Sequence, residues 1–110
     1  MNKTIEIFSC LETSDLAELE VLGCKVERTG EYREFDDSGT VLVAILISLA
    51  DKVAGKVVGE VVWNAFKKRF EKEPNDRFKR IIFSRKEIHF DKGEIIKTIE
   101  ETITQEHEAK

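Results

Sequence analysis

The residues able to do chemistry in this chain are few and scattered. Histidines stand at 89 and 107, cysteines at 10 and 24. Zinc and related metals take their nitrogen and sulfur ligands at short, paired spacings. His89, His107, Cys10 and Cys24 provide no such spacing, so no metal site is expected. Ser9, Ser14, Ser38, Ser48 and Ser84 fit strand ends, caps and a helix interior, and none has the setting of a nucleophile. The pair Asp36–Asp37 could in principle share a proton, but capping and solubility account for it more simply. Gly55 and Gly59 fall inside a helical pattern with no preceding strand and loop and no Lys-Ser/Thr, which a phosphate cradle requires. The reading is of no enzyme, no cofactor and no small-molecule substrate.

Charge narrows the partners. Of 110 residues, 22 are acidic and 18 basic, a net charge of -4, which is no global footprint for nucleic acid. Charge is nonetheless segregated. Lys67, Lys68, Arg69, Lys72, Arg77, Lys79, Arg80, Arg85 and Lys86 lie close together with Phe78 and Phe83, a pattern that could follow a phosphate backbone. Glu71, Glu73, Asp76 and Glu87 interleave with them, which disfavours nucleic acid. The loop carrying Glu31, Glu34, Asp36 and Asp37 forms an acidic pole able to steer a basic partner. The opening "MNKTIEIF" has no apolar run or cleavage site of a secretory signal. Cys10 and Cys24 are therefore read as thiols of a cytoplasmic protein, with a disulfide as the minority reading. The apolar run Val41–Ala50 is half the length of a membrane span.

The elements that must position these residues follow from periodicity and caps. "KTIEIFS" alternates as a strand. "TSDLAELEVLG" reads as a short helix capped at Thr13 or Ser14, with Leu16, Leu19 and Leu22 on one stripe and Gly23 at its end. "CKVERT" is a second strand, and the β-α-β order favours two parallel strands. From 40 to 71 no proline interrupts an apolar pattern. We read it as one long helix, with a strand over 41–48 as the alternative. Such a helix spans about 48 Å in a domain roughly 34 Å across, so it must bend near Asp51–Gly55 or project. "RFKRIIFS" and "EIHF" suggest a hairpin around Arg85 and Lys86. "DKGEIIKTIEETI" is a final helix with Asp91 and Glu94 as its capping box, and 106–110 should fray. The expectation is one α+β domain over 1–110. Its order is β-α-β-α-β-β-α, a small mixed four-stranded sheet with one long apolar helix and two shorter ones.

The long helix carries more apolar surface than one core face needs. Val53, Ala54, Val57, Val58, Val61 and Ala65 form one arc at 100° per residue. Gly55, Gly59, Val62, Trp63, Phe66 and Phe70 form a second. Each glycine costs about 1 kcal/mol in a helix relative to alanine, so the pair implies close approach by another backbone. The second arc is covered either by the terminal helix of the same chain or by another chain, with Trp63, Phe66 and Phe70 as anchors.

Three stretches, "TIEIFSCLETSDLAELE", "LVAILISLADKVAGKVVGEVVWNAFKKRF" and "FKRIIFSRKEIHFDKGEIIKTIEETI", share a layout and hydrophobic texture. In these the chain resembles the effector-associated constant component of bacterial conflict systems. The resemblance implies a non-enzymatic adaptor or regulator that recruits or restrains an effector through protein contacts. We expect a protein-protein interaction module acting through the Gly55–Phe70 arc on an effector, or by self-association into an oligomer. The alternative is an immunity protein whose Glu31, Glu34, Asp36 and Asp37 mask the basic active site of a toxin. A nucleic-acid-binding module comes third.

Overall fold

β1 (Lys3–Ser9), β2 (Lys25–Arg33) and β3 (Val41–Leu49) build most of one sheet. Two short strands, β4 (Ile81–Phe83) and β5 (Lys86–Ile88), complete it. A 3-10 turn at Thr13–Leu16 leads into α1 (Ala17–Val21), and α2 (Gly55–Lys72) and α3 (Lys92–Glu108) are the longer helices. The computed structural model describes residues 3–33, 41–50, 53–74, 79–83 and 86–108.

The expected long helix is two elements. Val41–Leu49 is a strand, and the helix starts only at Gly55. β3 sits between β2 and β1 and pairs with both along its length. Val43, Ile45 and Ile47 turn to the helices. Leu42 and Ala44 point to the opposite face and are buried there too. A strand buried on both faces loses the period-2 signature and reads as an unbroken apolar run, which periodicity cannot separate from a buried helix.

The sheet has five strands in the order β2-β3-β1-β4-β5, with every neighbouring pair antiparallel, so it is neither mixed nor four-stranded as expected. β1 and β2, joined through α1, do run parallel, but β3 lies between them. β3 and β4, joined through α2, run parallel with β1 between. These are two interleaved split β-α-β units, the ferredoxin-like arrangement, extended by β5 and α3. The pattern hosts many unrelated functions and assigns none.

The core lies between the helices and one face of the sheet. Ile5, Ile7, Ile45, Ile47 and Phe83 from the sheet meet Leu16 and Leu19, then Val58, Val62, Ala65 and Phe66 of α2, and Ile95 and Ile99 of α3. α2 touches both α1 and α3. The cap of the first crossover is not at Thr13 or Ser14: the Glu12 N–H donates to Asp15 Oδ2 at 2.8 Å. Gly23 ends α1 as expected, at φ 95°, in the left-handed region that glycine tolerates. α3 continues to Glu108, so the first residues of the expected tail are helical.

At the start of α3, the Glu94 N–H donates to Asp91 Oδ2 at 2.9 Å. The Glu94 carboxylate reaches back to His89, accepting from its N–H at 3.3 Å and lying 3.0 Å from its Nδ1. The His89 backbone N–H, and then its ring, hold the Glu94 carboxyl below the usual carboxylate range. A group so depressed favours the folded state while ionised. Its contribution is present above the unfolded-state value of about 4.3 and is lost as pH falls through the lower folded value. Glu94→Gln should therefore flatten the acid side of the stability profile measured by urea unfolding. Parallel profiles for the variant and the wild type would contradict the cap.

Candidate interaction surfaces

The second arc of α2 meets α3 of the same chain. A Cβ placed at Gly59 would lie 2.9 Å from Ile96 Cα, and one at Gly55 would lie 3.3 Å from Glu100 Cα and 3.0 Å from Ile103 Cδ1. The glycines admit a backbone, as their spacing implied, but it is the backbone of the terminal helix. Val62 and Phe66 are buried in the core. Of the arc read as a contact for another chain, Trp63 and Phe70 remain half-buried. They converge on Phe90, with ring centroids 5.2 Å and 5.5 Å away, while Phe66 presents its edge at 6.2 Å. The Lys79 ammonium stands 5.1 Å over the Phe70 ring. Phe90, between β5 and α3, is the organiser that the sequence did not disclose. Its only signal was an aromatic just ahead of the Asp91 cap.

The acidic pole is visible only in part. Glu31 is exposed, with its Oε1 2.8 Å from Arg28 Nη2. Glu34, Asp36 and Asp37 lie outside the described residues. The basic segment is engaged within the chain at several points: Arg69 with Asp15 at 3.5 Å, and Arg80 with Glu87 at 3.2 Å. Lys67, Lys68 and Lys72 are exposed; Arg77 and Arg85 lie outside the described residues. Among the described residues, no group of three or more His, Cys, Asp or Glu is placed to hold a metal ion. No described helix is long and apolar enough to cross a membrane.

Exposure points elsewhere. Among the described residues, the exposed large apolar side chains are Val21 (86%), Val57 (40%), Leu22 (39%) and Val41. The first three gather at one end of the molecule. α1 and α2 run in opposite directions: Asp15, just before α1, pairs with Arg69 near the end of α2. At the other end Gly23 lies against Ala50, whose Cβ a Cβ on Gly23 would meet at 3.5 Å. Val21 and Leu22 at the end of α1 are thereby brought to the start of α2, where Ala54 and Val57 are also exposed. Val57 is turned about 160° around the helix from Gly59, away from α3 and toward the α1 flank. The sheet face opposite the helices carries Phe8, Leu46 and Ile82, all only half-exposed, beside buried Leu42 and Ala44.

The packing of α2 on α3 is directly testable. Alanine is the better helix former by about 1 kcal/mol, yet Gly59→Ala must push the Ile96 backbone, and overpacking costs about 1–3 kcal/mol. The variant should be less stable than wild type by about 1 kcal/mol in urea unfolding. A gain in stability would mean that α3 does not rest on Gly59.

Comparison of the chain with protein-family models, with curated proteins and with solved structures returns no match.

Proposed function

We propose that this chain is a non-enzymatic protein-protein interaction module, working as an adaptor or regulator, and that it meets its partner at the exposed end of the α1–α2 pair. One observation carries the reading: Val21, Leu22 and Val57 are each exposed, and α1 ends, as α2 begins, beside the end of the sheet where Lys25 pairs with Ser48. A helical valine as open to water as Val21 gives up its burial free energy, about 25 cal/mol per Å² of apolar surface. Grouped exposed apolar side chains mark contact surfaces, whereas single ones do not. The reading keeps α2 as a contact element but moves the contact from the Gly55–Phe70 arc to the opposite flank. It agrees with the adaptor role that the resemblance to conflict-system components implies.

A photoreactive benzoylphenylalanine at position 22 tests it in the source cell. A discrete protein adduct is expected, lost when Val57→Glu is added and absent when the probe is placed at Lys72. Equal adduct patterns from positions 22 and 72, or none from position 22, would contradict the assignment.

A further inference from the structure

The charges around the apolar end select its partner, an inference that rests on the interaction surface just proposed. Glu18 and Glu20 are exposed on α1 beside Val21, and Glu60 is exposed on α2 one turn beyond Val57. Among the described residues the cation beside them is Lys56, on the α3 side of Glu60; Lys25 and Glu27 pair in register with Ser48 and Leu46 and so share the sheet face opposite the helices. Three carboxylates, Glu18, Glu20 and Glu60, thus stand against one ammonium group around Val21, Leu22, Ala54 and Val57 among the described residues. The rim is net acidic, in keeping with the chain's net charge of -4.

The acidic rim disfavours two ready occupants. A second copy packed about a two-fold axis would set one acidic rim against another. An anionic lipid surface would be repelled in the same way. We infer that the end of the α1–α2 pair docks an amphipathic protein segment that places an apolar ridge on Val21, Leu22 and Val57 and basic side chains on Glu18, Glu20 and Glu60. A helix with one apolar face and flanking lysine or arginine fits this chemistry. The apolar ridge supplies affinity, and the rim supplies partner choice and speed of encounter.

The test uses the full chain, isotopically labelled, and two designed amphipathic helices as probes, one Leu/Lys and the other Leu/Glu. The Leu/Lys helix should shift the amide resonances of Val21, Leu22, Ala54 and Val57. Charge reversal at Glu18 and Glu20 should weaken it by roughly tenfold, as expected for two rim pairs together, and added salt should do the same. Val21→Glu with Val57→Glu should abolish binding. Both positions are exposed, so an unchanged resonance pattern elsewhere shows that the variant is folded. If the Leu/Glu helix binds the same residues as tightly, the basic partner is wrong while the interaction surface stands. If neither helix shifts these residues, or the shifts map to Phe8, Leu46 and Ile82 instead, both the partner and the surface are wrong. A mass that rises with concentration and falls back to monomer in the double variant would assign the surface to a second copy and overturn the inference.

Discussion

The contact between α2 and α3 at Gly59 decides what the rest of the molecule can show to solvent. The two helices approach until a single added methyl would meet the Ile96 backbone at 2.9 Å. That closeness lets α3 cover one whole flank of α2 and brings Phe90 under Trp63 and Phe70. The other flank is left to α1, which has five residues against eighteen in α2. At 1.5 Å per residue these are about 7.5 Å and about 27 Å. So short a helix packs only slightly on the α2 flank, and Val57 there, with Val21 and Leu22 at the end of α1, is left open to solvent.

The sheet makes this asymmetry possible. β3 inserts between β1 and β2, so each crossover helix spans a strand rather than joining neighbours. The first crossover, from Ser9 to Lys25, has room for only a 3-10 turn and a short helix. The second, from Leu49 to Ile81, houses α2. The Asp15–Arg69 pair at one end and the Gly23–Ala50 contact at the other align the two crossovers in opposite directions. A half-exposed ion pair adds little stability; its value here is that it reports the alignment.

Much of this was legible in the residues. The alternation of "KTIEIFS", the Asp91 cap and the Gly23 stop each act within a few residues and appear where expected, although Glu94 completes no box with Asp91 and turns its carboxylate to His89 instead. The close backbone approach at Gly55 and Gly59 was also readable, because glycine at that spacing has a cost that packing must offset. Two things were not readable. "VLVAILISL" is buried on both faces, which erases the difference between a strand and a helix. The identity of the backbone that fills the glycine groove depends on where α3 lands, and the chain reaches that point only after two intervening strands. The exposed trio of Val21, Leu22 and Val57 escaped for a related reason. Val57 sits on the arc that looks like core, and periodicity cannot show how little of that arc the neighbouring helix covers.

The interaction surface exists only if Val21 and Val57 share one end of the molecule. The direct measurement places a nitroxide on Val21→Cys, in a background with Cys10→Ser and Cys24→Ala, and reads its broadening of backbone amide resonances. We expect stronger broadening at Ala54, Val57 and Val58 than in the last turn of α2 near Lys72. Broadening at Lys72 instead, or along α3 with none at the start of α2, would separate the apolar residues and remove the interaction surface.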